Sequence, residues 1–479
     1  MADKIRSVDD RMLAEEVGAT LAEAQAALPP AAPGAITTIR ERYRRRRQRG
    51  RLASAAVAIL VLTVTLTGAQ LTRGRGLSPA PPADSGTATI RVWAITPPSQ
   101  DSALRQLVDR YNRSAEVHVE LLTFANDDYK EKLRTSVDSP DAPDVFVTWG
   151  GAALARLARD GRLADLTGPP TSAGRFLPSA LAGGMVDGRQ YGLPMSGTHP
   201  TVLFYNKDVF ARSGLTPPRS YAELLSLVDA FKADGITPLA LGGAQGWAEL
   251  MYVMYLAERI GGPGTTADIV LGRPGAWSKP AVSQALRDAQ DLAKRGAFGD
   301  DFSSLGYDDG SAPRLLATGR AAMQLMGTWE YPTQLARNPD FVLGDGLGWV
   351  PFPAVAGGAG NPADLVGIPA KYFSVTAGSR HRQTAIEFVQ DVAGDAYLDD
   401  LVAEGEVPPV TDAADRLRGT DHAGFATSVH ELVAKAPSYS LAWDQALDPA
   451  TATRLNANLQ RLFRSELTPE QFAAAMTGD

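Results

Sequence analysis

From Thr87 onward the apolar residues fall into two alternating rhythms. TATIRVWAI (87–95), VHVELLTF (117–124) and DVFVTW (144–149) are short apolar β-rich runs. Each is followed by a helical pattern: Leu104, Leu107, Val108 and Tyr111 after the first, Tyr129 to Ser136 after the second, and ALARLARDG after the third. Strand alternating with helix at this spacing predicts a mostly parallel sheet covered on both faces. Ligands of such sheets bind beyond the carboxyl ends of the strands, where Asn126, Asp127, Asp128 and Trp149 stand. The alternation restarts at YGLP (191–194) and the strand TVLFYNKDVF. Ser220 with Glu223 predicts a capping box opening the helix SYAELLSLVDAFKADG, and TPLALGG reads as a strand. Trp247 opens the apolar helix WAELMYVMYLAERIGG, whose final glycines are a stop signal, and a further helix covers Lys279 to Arg295. GRAAMQLMGTWE (319–330) reads as a buried strand, with more strand in GLGWVPFP and KYFSVTAGS. Helices are expected at Arg382 to Val392 and Ala396 to Glu404, and two proline-started helices follow Asp448 and Thr468, the second with Gln471 at its capping-box position.

A different pattern precedes this region. Between Arg51 and Arg73 there is no charged residue, and as a helix Leu52 to Leu71 would cover the ~30 Å apolar core of a bilayer. Eight arginines lie between Arg40 and Arg51 against two after the stretch, Arg73 and Arg75, which holds the N-terminus inside and sends the rest outside. The expected organisation is a cytoplasmic tail (1–51), a transmembrane signal-anchor (52–71) and a Pro/Gly/Ser-rich stalk (72–86). Thr67 and Ala69 are small residues at signal-peptidase spacing, so the competing reading is cleavage after Ala69 and secretion. The length of the segment before the apolar run favours the anchor.

Composition narrows the chemistry. Residues 1–75 hold 13 basic and 7 acidic residues, leaving 34 basic against 47 acidic in the remainder of the 479, a net −13 outside the membrane. An acidic face repels phosphates, so nucleic acid is not an expected partner. There is no cysteine, hence no disulfide, thiolate metal site or lipid-attachable cysteine. No GxxxxGK[ST], GxSxG or HExxH occurs, the five histidines are scattered, and the run Gly344, Gly346, Gly348 opens no helix. Asp308–Asp309 and Glu404/Glu406 are carboxylate pairs, but glycosidase chemistry needs a separation in space that sequence does not supply. Neither catalysis nor a cofactor or metal is expected. Trp149, Trp247, Trp329 and Trp443 instead fall at element ends beside small or polar residues. A sugar stacks its C–H face on indole while its hydroxyls bond carboxylates and amides. Trp329 with Glu330, Trp443 with Asp444, and Gln245 near Trp247 offer both parts of that recognition.

DVFVTWGGAALARLARDGRLADLT, VLFYNKDVFARSGLTPPRSYAELL, GITPLALGG, GRAAMQLMGTWE, GEVPPV and LAWDQALDP, in that order, resemble the solute-binding proteins of ABC sugar importers, the maltose-binding-like family. The resemblance implies an α/β, two-lobed periplasmic-binding-protein-like (type II) fold with hinge crossovers. The first lobe would be 87–204 and 372–410, the second 205–371 and 411–479, with crossings near Tyr205, at 367–372 and after Pro408. It implies an oligosaccharide or sugar held between the lobes, with Trp149 from the first lobe and Trp247, Trp329 and Trp443 from the second. Asn126, Asp128, Thr198 and His199 are the softer polar candidates. GGAA after Trp149 stands where some members place a carboxylate, which argues against a maltose-like hydroxyl pattern, and LAWDQALDP is similar to the branch binding xylo-oligosaccharides or chitobiose. The implied partners are an ABC permease and a separate ATPase, and the span would replace the usual lipidated cysteine. Two other readings stay open: a sensor signalling through the span to residues 1–50, and a glycan-active enzyme.

Overall fold

The computed structural model describes residues 88–96, 102–137, 139, 141–168, 173–420 and 422–477. The expected tail, span and stalk lie outside these residues. Among the described residues no helix is long and apolar enough to cross a membrane.

Strands β1 (Thr89–Ile95), β2 (His118–Phe124) and β3 (Val145–Thr148) alternate with helices α1 (Ala103–Ser114), α2 (Asn126–Ser136) and α3 (Gly151–Arg159). β1 pairs in parallel with both β2 and β3, as alternating apolar runs require when the helices return the chain over the sheet faces. α2 begins three residues before the helix expected from Tyr129. Asp127 and Asp128 occupy its first turn, where carboxylates suit the positive helix end, so Asn126 to Asp128 are helical rather than a free loop. After a hairpin of β4 (Met185–Val186) and β5 (Arg189–Gln190) comes β6 (Leu193–Pro194). The first sheet runs β2-β1-β3-β12-β6, where β12 (Tyr372–Val375) arrives much later in the chain and lies antiparallel to β3.

β7 (His199–Asn206) starts the second lobe. The capping box forms as expected at the start of α4 (Tyr221–Ala233), with Ser220 and Glu223 bonding each other's backbone N–H. β8 (Thr237–Leu239), α5 (Trp247–Gly261), β9 (Ala321–Gly327), α6 (Glu330–Arg337), β10 (Leu347–Val350) and β11 (Leu365–Ile368) follow. The second sheet runs β13-β11-β7-β9-β8, with β13 at Tyr439–Leu441 and β10 also paired to β7. α5 is buried on every side from Trp247 to Arg259, as an apolar helix must be when it runs through a core.

Each sheet has its own core. Ile90, Val92, Phe146, Phe373 and Phe388 belong to one; Phe204, Leu239, Tyr252, Leu325 and Trp443 belong to the other. Three runs connect them. β6 pairs only in the first sheet and β7 in the second, so the first crossing is 195–198, ahead of Tyr205. The apolar VLF of β7, buried on both faces, makes it a central strand that cannot be divided between lobes. The second crossing, 369–371, joins β11 to β12. The third follows α7 (Asp395–Ala403): it touches the second core at Val407, returns to the first at Val410 and Ala413, and enters the second at Leu417. The crossings are stitched together. Met195 N–H donates to Lys371 O (2.8 Å), Lys371 N–H to Ser196 Oγ (3.1 Å) and Thr198 N–H to Val407 O (2.9 Å). They form one hinge.

Candidate functional site

Between the lobes lies a cavity of about 350 Å³, inside the size range of small-molecule sites. Its aromatic lining comes from element ends. Trp149 follows β3 and packs its edge against Tyr129 at 5.8 Å between centroids. Opposite, Trp247 at the start of α5 meets Tyr307 at 5.3 Å and Trp329 at 6.3 Å, both edge-on. Trp329 can fold back over the end of β9 because Gly327 has no side chain: a Cβ there would lie 2.1 Å from the indole. Trp149, Trp247 and Trp329 thus all reach the cavity, with Asn126 and Asp444 beside them.

The lobes already touch at the cavity mouth. Lys130 Nζ on α2 lies 3.1 Å from Asp444 Oδ2 on α8 (Trp443–Ala446) and 5.5 Å above the Trp149 ring. Asp444 also accepts from Gln445 Nε2 at 2.7 Å. Gly150 and Gly151, which open α3, both have positive φ (+81° and +65°). A Cβ on Gly151 would stand 2.6 Å from Gln445 O. The GGAA sequence therefore serves a close backbone approach between lobes.

Other expected contacts lie elsewhere. Trp443 is 0% exposed; its ring packs edge-on to Trp277 at 5.4 Å, and its backbone N–H donates to the sulfur of Met254, a residue that lines the cavity. As the first residue of α8 it turns into the lobe's core, one layer below the surface it was expected to form. Glu330 is also fully buried. It accepts from Tyr307 Oη and Gln334 Nε2, both at 2.6 Å, and burial pushes its pKa up to about 7. It holds Tyr307 in place rather than facing the cavity. Gln245 Oε1 accepts from Tyr307 N–H (3.0 Å) and, with Asp128, lines a separate recess. Thr198 and His199 sit in the hinge behind Trp329, whose ring meets the imidazole edge-on at 5.6 Å. Burial drives the His199 pKa down to about 4, so the ring is neutral.

Sequence reasoning missed several lining residues: Lys130, Tyr307, Arg337, Lys371 and, though noticed as pairs, Asp308, Glu404 and Glu406. A signal existed for Lys371, a lone cation inside the expected second crossing. Among the described residues no group of three His, Cys, Asp or Glu could hold a metal ion.

The model of the bacterial extracellular solute-binding protein family matches residues 96–397. The chain belongs to that family. It is similar to an uncharacterized ABC transporter extracellular-binding protein of Pyrococcus horikoshii, 25% identical over 281 residues, 58% of this chain and 61% of that one. It is also similar to the multiple sugar-binding protein of Streptococcus mutans, 25% identical over 299 residues, 60% of this chain and 67% of the relative. The chain thus spans about two thirds or less of these relatives' lengths. Among solved structures, a chitin oligosaccharide binding protein superposes with a TM-score of 0.73 at 22% identity, covering 82% of this chain and 97% of that one. At that identity the likeness shows the fold, and these solute-binding relatives are binding proteins rather than enzymes.

Proposed function

We propose that this family member captures a short sugar between its lobes and delivers it to the permease of an ABC importer with a separate ATPase. The observation behind this reading is the cavity itself: indoles from both lobes face a space edged by carboxylates and amides, the mixture of flat apolar and hydrogen-bonding surface that a pyranose needs. Trp149 and Trp329 are the stacking residues of this reading, with Trp247 and Tyr307 framing them. Asn126 and Asp444 supply polar contacts, and Glu330 and Gln245 act by fixing Tyr307. The relatives named for sugar binding support the same ligand class.

Residues 52–71 serve as an uncleaved anchor holding the binding region outside the membrane. The charge step from the arginine run to the acidic remainder supports that topology. Calorimetry of the full-length chain against neutral oligosaccharides tests the ligand class. Binding of amino acids or peptides with no sugar bound would overturn it. N-terminal sequencing of protein recovered from the native membrane tests the anchor, and a mature chain beginning just after Ala69 would refute it.

A further inference from the structure

All three hinge crossings contribute to the cavity wall. Ser196 from the first crossing, Lys371 from the second, and Glu404 and Glu406 from the third all line it. The two carboxylates are held by backbone donors. Glu406 Oε2 accepts from Gly197 N–H at 2.7 Å, and its Oε1 is 3.9 Å from His199 Nε2. Glu404 Oε1 accepts from Ala103 N–H, the first residue of α1. Lys371 is different. Burial pulls its pKa down while Glu406 and Glu404 oppose the fall, yet among the described residues no carboxylate lies within 4 Å of its ammonium. The side chain is only partly buried and lines the cavity, so its three donors face water there until a ligand displaces that water and supplies oxygens in its place.

We propose that Lys371, Glu404 and Glu406 form a hydroxyl-reading subsite that binds one uncharged ring of the sugar, the ammonium donating to a hydroxyl oxygen and the carboxyl groups accepting hydroxyl protons. This rests on the sugar reading above and adds which ring chemistry the site selects. The charges fit. Burial and the neighbouring Glu406 push Glu404 up to about 8, so at neutral pH it carries its proton, while Lys371 and Glu406 offset each other. The other groups facing Glu404 do not change this sum: Asp400 is paired with Arg110 at 2.5 Å, and the Tyr397 hydroxyl donates to Met195 O. A uronate would pair with Lys371 only by also meeting Glu406, and a free amino sugar would pair with Glu406 only by also meeting Lys371, so in one small cavity each gains an attraction and a like-charge repulsion and still loses its own hydration. A hydroxylated neutral ring bonds all three groups with neither the repulsion nor the loss of a charge's hydration. Such a ring also removes water from Glu404 and thereby favours its protonated form. Affinity therefore falls as the pH rises through 8.

The test is calorimetry of the full-length chain with N,N′-diacetylchitobiose, xylobiose and galactose, and with deacetylated chitobiose and galacturonic acid as charged counterparts. The expected result is that at least one neutral sugar binds and its charged counterpart binds at least tenfold more weakly. Lys371→Met and Glu406→Gln should each weaken the neutral sugar at least tenfold. Glu404→Gln, whatever its affinity, should lose the fall between pH 7 and 9 that the wild type shows, a change that a merely structural role would not produce. If Lys371→Met fails to fold, the pH profile of Glu404→Gln and the charged sugars still decide. Wild-type affinity and pH profile in Lys371→Met and Glu404→Gln, with binding lost in Trp329→Ala, would overturn the subsite and leave the sugar reading standing. No binding of any neutral sugar by the wild type would overturn both.

Discussion

Acidification should weaken this fold through one residue, His199. In the folded chain the imidazole is 1% exposed, packed against the Trp329 edge, with Glu406 at 3.9 Å the nearest carboxylate and Lys371 opposing. Burial holds its pKa near 4 against the ordinary 6.5. Between these values the unfolded chain binds a proton that the folded chain refuses. Stability is therefore full above pH 6.5 and is lost as the pH falls towards 4. At about 1.4 kcal/mol per pH unit, the loss between pH 7 and pH 4 comes to about 3 kcal/mol, a large share of a typical stability. The assay is urea unfolding of the wild type and of His199→Gln at pH 7, 5.5 and 4. Carboxylates titrate in both proteins, so the difference between the two isolates the imidazole. The wild type should lose about 3 kcal/mol more than the variant over this range. Parallel pH slopes would refute the argument, because they would mean that His199 is protonated as easily in the fold as in solution.

The remaining predictions separate contact from support. Trp329→Ala should weaken sugar binding by about 1 to 3 kcal/mol with little change in melting temperature, whereas Trp443→Ala should cost about 3 to 5 kcal/mol of stability; calorimetry beside thermal melting distinguishes them. Lys130→Ala leaves Asp444 with only 5% of its side chain exposed and no cation, so closure should lose about 2 kcal/mol and small-angle scattering of the liganded protein should show a larger radius. Glu249 is 0% exposed and burial pushes its pKa up to about 8, so the folded chain keeps a proton that the unfolded chain has released above 4.5. That stability disappears as the pH rises through 8, and Glu249→Gln should flatten the fall in melting temperature between pH 6 and 9.

The strands and helices of both lobes were legible because each buries one or both faces, and burial writes itself into apolar periodicity: DVFVTW, GRAAMQLMG and WAELMYVMYLAERIGG each became the predicted element. Caps were legible for the same local reason, at Ser220 and at Thr468, which bonds Gln471 reciprocally. The site was legible only in part. Trp149, Trp247 and Trp329 stand at element ends and reach the cavity, but Trp443 stands at an element end too and turns inward. The choice between those outcomes depends on what the next layer holds, here Trp277, more than a hundred residues away in sequence. Lys371, Glu404 and Glu406 were harder still, since only the meeting of three chain crossings gives them a common cavity.

Gly151 carries a consequence for how tightly such a molecule can hold its ligand. The lobes meet there main chain to main chain, with Gln445 O 2.6 Å from where a methyl group would be. A single added carbon would act as a wedge at the rim, against the backbone of a residue that borders the cavity. Apparent affinity scales with the fraction of molecules able to close, so Gly151→Ala would lower it by hindering closure, though Gly151 itself is not among the residues lining the cavity. Avidity in this architecture is a dial with two handles, and one of them never touches what is bound.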